Sequence, residues 1–282
     1  MYAKMIFGRT GGRALGGYCL RMRTGIREAI GALERMSPIV MLMISVSVGT
    51  ASADEARVAV AASFLNPLQS LANAFEDATN HEIVYTSGST GLLYAQIVNG
   101  APFDILLAAD RERPRLLAER ELGDPDSVLT YAVGRLALWS GTPGRVDEQT
   151  LTRLGEESFR WFAIAEPDVA PFGRAARQVL ENLGVWELLV REQRIVSGQN
   201  VAQSFAYIET GNAELGLVAL SQVLAHRRGS YSIVPDAYHD PIRHDAILLN
   251  RATGNPAAVE FIGFLATPEA AMILEGFGYQ VR

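Results

Sequence analysis

Apolar and polar residues alternate along the chain in blocks that favour strands and helices in turn. From residue 54 onward, apolar runs of strand length are each followed by a longer stretch in which apolar residues recur with helical spacing. The first series predicts strands at 58–62, 83–85 and 104–108, followed by helices that end near residues 75, 98 and 120. Three strand–helix units within about 65 residues predict a parallel sheet covered by helices.

A second series follows a long apolar strand at 131–140, which is predicted to leave the first sheet. The predicted strands of this series are 162–165, 194–196 and 215–218, and its predicted helices are 174–183, 202–210 and 220–225. The last part of the chain has an apolar run at 232–234, a polar stretch at 236–241, a predicted strand near 246–249 and predicted helices at 255–266 and 268–275. This order predicts an α/β protein with two lobes, each a mostly parallel sheet flanked by helices. Lobe 1 is expected to comprise residues 54–134 and 236–282, lobe 2 residues 135–235, and two crossing segments join them.

The first 53 residues have a different pattern. Arginines are spread over residues 9–35, an apolar run spans 39–48, and Ala51-Ser52-Ala53 follows. A basic flank, a short apolar segment and a small-x-small site are typical of a secretory signal peptide. The apolar run is too short for a stable bilayer anchor. The sequence therefore predicts a signal peptide at 1–53, with a buried N-terminal helix as the alternative.

Removal of residues 1–53 changes which kinds of chemistry the chain can support. It takes seven basic and two acidic residues from totals of 25 and 31, so that 18 basic and 29 acidic residues remain and the net charge is near −11. Such a surface does not favour nucleic acid or anionic lipid. Cys19 and Lys4 are the only residues of their kinds and both are removed. Disulfides, thiolate nucleophiles, a Walker A loop and a Schiff-base lysine are thereby excluded.

Three predicted strand-to-helix junctions share small and hydroxyl-bearing residues. They are Ala61-Ala62-Ser63, Ser87-Gly88-Ser89-Thr90-Gly91 and Pro171-Phe172-Gly173, and Asn200-Val201 is a fourth candidate. Ligands of open α/β sheets bind at the carboxyl ends of strands. Helix N-termini present unpaired N–H groups and a positive dipole end, which suit an anion. The alternative is that these residues only cap helices and make turns.

Other kinds of site are less well supported. Residues 239–245 include two histidines and two aspartates, but their spacing matches no helical metal-ligand pair, and a solvated loop beside a crossing strand is favoured. A serine hydrolase with Ser63 or Ser89 as nucleophile would lack a Gly-x-Ser-x-Gly elbow and a placed base. Arg174, near the start of a predicted helix, is interpreted as a helix-surface residue and not as an anion ligand. Neither a metal centre nor catalytic residues are predicted.

An ordered set of short motifs covers nearly the whole chain after residue 56. They are Ala61-Ala62-Ser63-Phe64, Gly88-Ser89-Thr90-Gly91 with Tyr94-Ala95-Gln96-Ile97, Gly100-Ala101-Pro102-Phe103-Asp104 with Ala109-Asp110, Glu166-Pro167 through Ala170-Pro171-Phe172-Gly173, Gly198-Gln199-Asn200-Val201, and Gly211-Asn212-Ala213-Glu214-Leu215-Gly216. In this order they resemble the periplasmic molybdate-binding proteins of ABC transporters. The resemblance implies the two-lobed periplasmic binding protein fold, with the ligand held between the lobes.

The resemblance also implies a ligand set by position. That set is Ser63, then Ser89 or Thr90, and the backbone N–H groups of Phe172 and Val201. Gapless spacing from Ser63 favours Thr90 over Ser89, and both are kept. Some members of the family have a tyrosine where this chain has Ala219, so that hydroxyl contact is missing here. The number of donors, and with it the selectivity among oxyanions, therefore stays open.

The implied function is that of an exported binding protein that captures molybdate or tungstate and delivers it to the membrane permease of an ABC transporter. We expect a periplasmic monomer that is not an enzyme and that has no cofactor, no nucleic-acid partner and no metal besides the one at the centre of the oxyanion. Because no titratable side chain is among the expected ligands, affinity should be nearly flat from about pH 6 to 8, whereas a tenfold loss as pH rises through this range would point to His244 or His226 in the site. The alternatives are a binder of sulfate or another tetrahedral oxyanion and, more remotely, a secreted serine hydrolase.

Overall fold

The computed structural model describes residues 54–281, and the predicted signal peptide lies outside the described residues. The strands are β1 (Glu55–Ala61), β2 (Glu82–Gly88), β3 (Ile105–Leu107), β4 (Leu129–Gly134), β5 (Leu136–Ser140), β6 (Phe162–Ala165), β7 (Ile195–Gly198), β8 (Leu215–Ala219), β9 (Ser230–Ile233) and β10 (Ile242–Leu248). The α-helices are α1 (Leu65–Thr79), α2 (Thr90–Val98), α3 (Glu112–Glu119), α4 (Pro171–Asn182), α5 (Trp186–Arg191), α6 (Val201–Glu209), α7 (Leu220–His226), α8 (Pro256–Phe264) and α9 (Pro268–Gly276). Short 3₁₀ helices lie at Ala62–Phe64, Pro125–Ser127, Leu154–Glu156, Asp236–Tyr238 and Asn250–Ala252.

The strands form two five-stranded sheets of the same design. The first has the order β2-β1-β3-β10-β4, with β1 parallel to β2 and β3, and β10 antiparallel to β3 and β4. The second has the order β7-β6-β8-β5-β9, with β6 parallel to β7 and β8, and β5 antiparallel to β8 and β9. Four strands of each sheet therefore run one way and one runs against them. The predicted α/β fold with two mostly parallel sheets is confirmed, and the inserted antiparallel strand is an addition to it.

The chain crosses between the two sheets twice, after β4 and again between β9 and β10. The first crossing corrects the single strand predicted at 131–140, because β4 ends at Gly134 and β5 begins after Arg135 in the other sheet. A Cβ added at Gly134 would lie 2.8 Å from Cε1 of His244 and 2.9 Å from Cζ of Phe172. The absence of a side chain thus lets these two rings approach the crossing. An unbroken apolar run does not reveal that a strand changes sheets.

Burial explains why the sequence pattern was informative for the strands. Strands β5, β6 and β8 are buried along their whole lengths. Strands covered on both faces read as continuous apolar runs, as these do. Helices such as α4 bury one face, with Phe172, Ala176 and Val179 against the second sheet. The apolar pattern therefore places the sheets in the interior and leaves strand ends and helix starts to form sites.

Within residues 54–281, no single helix is long and apolar enough to cross a membrane. The pair α8 and α9 meets the length and composition test only when taken together, and the two helices are bent by 66° at the break between them. Both contribute buried residues to the core beside the first sheet, among them Phe261 and Leu274.

Candidate functional site

Four strand-to-helix junctions converge on one small cavity. Its wall includes all five residues that the sequence analysis selected, namely Ser63, Ser89, Thr90, Phe172 and Val201. The rest of the wall comes from alanine, glycine, proline and asparagine residues at the same junctions and at Ala109. About 10 Å³ is open to the centre of a water molecule, which is about the room that one water needs. The junctions following β1 and β2 belong to the first sheet and those following β6 and β7 to the second, so the cavity lies between the sheets.

Ser63 is held at the centre of a 3₁₀ turn between β1 and α1. Helix α1 begins at Leu65 and continues directly from that turn. The Ser63 carbonyl oxygen accepts two hydrogen bonds of 2.9 Å each, from the hydroxyls of Tyr279 and Ser221. Ser221 lies in α7, which follows a strand of the second sheet. The backbone at Ser63 is therefore fixed from both sides of the cavity.

The Ser63 side chain contacts a histidine that is not in the expected ligand set. Its Oγ lies 3.2 Å from Nε2 of His244, and Nδ1 of His244 lies 3.1 Å from the carbonyl oxygen of Ile242. His244 is fully buried in β10, so the interpretation of residues 239–245 as a solvated loop is wrong at this position. Burial lowers the pKa of His244 to about 4, and the hydrogen bond with Ile242 offsets this only in part. The ring is consequently neutral near pH 7.

Ser89 and Thr90 differ in what their hydroxyl groups contact. Ser89 is the N-cap residue of α2, yet its side chain makes no capping hydrogen bond, and its buried Oγ has no partner among the described residues. Thr90 Oγ1 already accepts the backbone N–H of Ala109 at 3.0 Å. A buried hydroxyl without a partner costs free energy and calls for an explanation. The purely capping interpretation of the serine therefore does not hold for Ser89.

The helices that follow β6 and β7 each begin at the cavity wall, where Phe172 and Val201 are in their first turns. Phe172 is in the first turn of α4, whose N-cap residue is an alanine and has no side-chain oxygen to accept from it. Asn200 caps α6 by accepting from the N–H groups of the second and third helix residues, at 3.0 and 3.1 Å. The Asn200 side chain does not accept from the N–H of Val201, the first helix residue, so that N–H is available to a ligand in the cavity. First-turn N–H groups lack partners within their own helix and favour an anion.

Among residues 54–281, none of those that line this cavity has a charged side chain. Arg174 instead lines a neighbouring cleft, where its side chain is 45% exposed and Nη1 lies 3.5 Å from a carboxylate oxygen of Glu112. This position agrees with the interpretation of Arg174 as a helix-surface residue. The cavity therefore offers hydroxyls, backbone N–H groups and helix dipoles, all of them without formal charge. Such a donor set suits a small, fully ionised oxyanion.

A small cavity between two α/β sheets, lined by neutral donors, is the kind of site found in binding proteins. The chain belongs to the family of bacterial extracellular solute-binding proteins, whose family model matches residues 56–280. It is 43% identical to the molybdate-binding protein ModA of Azotobacter vinelandii over 236 residues, which cover 82% of this chain and 92% of the relative. The ModA protein of Rhodobacter capsulatus is 41% identical over 229 residues, with 81% and 89% covered.

The fold agrees with that relationship. The solved structure of the Azotobacter vinelandii periplasmic molybdate-binding protein superimposes with a TM-score of 0.78 at 37% identity, covering 80% of this chain and 99% of that chain. Nearly the whole solved structure therefore has its counterpart here, including both sheets.

Proposed function

We propose that this protein captures molybdate between two lobes outside the cytoplasm and delivers it to the membrane permease of an ABC transporter. The observation that carries the proposal is the cavity of neutral donors at four converging junctions. The identity of 43% and 41% to two molybdate-binding proteins supports the choice of ligand. We further propose that residues 54–134 and 236–282 form lobe 1 and residues 135–235 form lobe 2. Tungstate, which has the same shape and charge, is the second expected ligand.

The proposed ligand set consists of the Ser63 and Ser89 hydroxyls and the backbone N–H groups of Phe172 and Val201. Thr90, whose hydroxyl is engaged with Ala109, takes a supporting position. A hydrogen bond from a neutral donor to an ionised acceptor contributes roughly 1.5–3 kcal/mol. Four such bonds amount to roughly 6–12 kcal/mol before the cost of association is subtracted, which leaves a binding free energy of at most about −8 kcal/mol from these bonds. Sulfate carries the same charge on a smaller frame, so cavity size is the proposed basis of selectivity.

Closure of the lobes on the anion is the proposed mechanism. The donors come from both sheets, so an anion that contacts all of them stabilises the arrangement in which the sheets are close. Two protein contacts already join the same sides: the N–H of Gly91 donates to the carbonyl oxygen of Val169 at 2.9 Å, and Ser221 Oγ donates to the Ser63 carbonyl. Release to the permease then requires that these contacts open together with the site.

The contact between Ser63 and His244 bears on the alternative of a secreted serine hydrolase. A hydrolase needs a histidine that is oriented by a carboxylate and basic enough to accept the serine proton. Here the second ring nitrogen contacts the carbonyl oxygen of Ile242, and burial lowers the pKa of the ring to about 4. Both properties disfavour catalysis. We therefore propose a monomeric periplasmic binding protein, exported by its N-terminal segment, in which Ser63 is a ligand and not a nucleophile.

Molybdate and tungstate are each expected to raise the melting temperature, and sulfate much less. A ligand that binds only the folded state adds RT ln(1 + [L]/Kd), about 4 kcal/mol at a thousandfold excess over Kd, which corresponds to a shift on the order of 10 °C. Differential scanning fluorimetry with the three oxyanions measures this directly, beside an ester-hydrolysis assay. Equal shifts from molybdate and sulfate would remove the size argument, and hydrolysis that disappears in Ser63→Ala would favour the hydrolase.

Ser89→Ala and Thr90→Ala are expected to separate binding from stability. Ser89→Ala removes a hydroxyl that has no partner in the part of the chain that the structure describes, so it should weaken molybdate binding by about tenfold to a hundredfold and leave the ligand-free melting temperature unchanged. Thr90→Ala leaves the buried N–H of Ala109 unpaired, so it should cost about 1–3 kcal/mol of stability and less affinity than Ser89→Ala. Calorimetry and thermal melts of both variants test this. A larger loss of affinity in Thr90→Ala, without a change in stability, would assign the ligand to Thr90.

A further inference from the structure

His244 is a buried histidine in contact with the Ser63 side chain. It does not line the cavity itself, and its contact with the site is the 3.2 Å approach of Nε2 to Ser63 Oγ. Its ring is enclosed by four aromatic rings, those of Phe64, Tyr131, Phe172 and Tyr279, at centroid distances from 5.2 to 6.0 Å. One of these belongs to Phe172, whose backbone N–H is a proposed ligand. His244 is therefore packed tightly, and the proposed ligand group that it contacts by a hydrogen bond is the Ser63 hydroxyl.

The hydrogen bonds of His244 fix the direction in which the Ser63 proton points. A carbonyl oxygen only accepts, so the 3.1 Å contact with Ile242 requires the proton to be on Nδ1. In the neutral ring Nε2 then carries a lone pair, and Ser63 Oγ donates to it. The Ser63 hydroxyl consequently presents oxygen lone pairs to the cavity. An oxyanion at this position would meet an acceptor instead of a donor.

The protonation state of His244 depends on whether an anion occupies the cavity, because the titratable groups in contact with its ring are neutral. The titratable side chains in ring contact with it are Tyr131 and Tyr279, and burial raises the pKa of both phenols, so both are neutral. The carboxylate of Asp245, the next residue along β10, lies 3.5 Å from Nε of Arg111. Burial and the Ile242 carbonyl alone account for the shift of the His244 pKa to about 4. A doubly charged anion bound on the other side of the Ser63 hydroxyl would raise the pKa of His244, since a nearby negative charge favours the imidazolium.

We propose, on the basis of the proposed function, that His244 positions the Ser63 hydroxyl by taking up one proton from solvent as the oxyanion binds. The proton adds to Nε2, which then donates to Ser63 Oγ, and the Ser63 hydrogen turns from Nε2 to an oxygen of the anion. No covalent bond other than N–H forms, and the bound site gains one positive charge. Without this uptake, binding would set the Nε2 lone pair against the Oγ lone pairs in a buried place, which leaves an unsatisfied acceptor.

Proton uptake couples affinity to pH. Between the pKa of His244 in the free protein and its higher value in the complex, binding takes up one proton and weakens by about tenfold for each unit that pH rises. The expected direction is therefore tighter binding at lower pH. The proposal therefore departs from the expectation of a nearly flat profile, which assumed that no titratable side chain acts on the ligands.

The test is a calorimetric titration of the protein with sodium molybdate from about pH 5 to about pH 9, in pairs of buffers with different ionisation heats. The wild type should take up close to one proton per anion at the acidic end. His244→Gln should bind with less than about threefold variation over the same range and without proton uptake, because a glutamine N–H donates to Ser63 Oγ at every pH. The variant also controls for protonation of the anion itself.

The possible outcomes separate the two proposals. Molybdate binding that is flat with pH and takes up no proton in the wild type overturns the role of His244 and leaves the binding function intact. A pH dependence that persists in His244→Gln also overturns it, since the proton would then be on the anion. Absence of molybdate binding at every pH overturns the proposed function instead. The wild-type proton count needs no variant, so a His244→Gln protein that fails to fold does not remove the test.

Discussion

Ser63→Asp is expected to abolish molybdate binding. The substitution places a carboxylate at the cavity wall, against a doubly charged anion and away from bulk water. Two unit charges about 4 Å apart interact by about 4 kcal/mol at an effective dielectric constant of 20, and a dianion doubles this repulsion. The Ser63 donor is lost as well. Together these changes should weaken binding by more than about a thousandfold, as measured by calorimetric titration.

Ser63→Asn is the matched control for this substitution. Asparagine has the size of aspartate, carries no charge and offers an N–H donor, so it should retain measurable binding at reduced affinity. Circular dichroism and ligand-free melting temperatures of both variants show whether the buried turn still folds, since Ser63 is only 2% exposed. If the folded Ser63→Asp protein binds molybdate as the wild type does, Ser63 is not at the site.

Gly91→Ala is expected to weaken molybdate binding by about tenfold to a hundredfold while leaving the ligand-free protein stable. A Cβ at Gly91 would lie 2.9 Å from the carbonyl oxygen and 3.1 Å from Cα of Val169, both of them backbone atoms in the segment that follows β6 of the second sheet. Overpacking of this kind costs roughly 1–3 kcal/mol. The cost applies only where α2 and the segment after β6 are in contact. In the open protein, alanine near the start of α2 favours the helix by about 0.5–1 kcal/mol over glycine.

Gly263→Ala serves as the control for the helix-propensity effect. Gly263 is in α8, and a Cβ there would meet nothing within 4 Å. It should gain the same small stability and keep wild-type affinity. A lower ligand-free melting temperature in Gly91→Ala would mean that the contact with Val169 persists without ligand. Wild-type affinity in that variant would mean that closure on the anion does not need the contact.

The junctions could be predicted from sequence because their signals are local. The Asn200 cap of α6, the proline at the start of α4 and the small residues around Ser63 each act within a few residues of the chain. Local signals, however, decide element ends only to within a residue or two. The choice between Ser89 and Thr90 depends on a single position. The hydrogen bond from the N–H of Ala109 to the Thr90 hydroxyl bears on this choice. Ala109 is 19 residues from Thr90, and gapless spacing does not take such a contact into account.

His244 could not be found in this way, because its role depends on contacts between distant parts of the chain. It is 181 residues from Ser63 in sequence. It reaches that serine only because β10 runs antiparallel between β3 and β4 in the first sheet. The polar residues that precede and flank β10 give a pattern typical of a loop. A histidine in such a stretch can be predicted to contact Ser63 only if the order of strands in the sheet is already known.

The most direct test of the central claim is a crystal structure of the protein grown with tungstate, in which the anomalous signal of the metal marks the anion. We predict one strong peak between the sheets, with anion oxygens about 2.7–3.1 Å from Ser63 Oγ, Ser89 Oγ and the backbone nitrogens of Phe172 and Val201. A peak in the neighbouring cleft beside Arg174, or no peak between the sheets in a protein that binds tungstate in solution, would contradict the account.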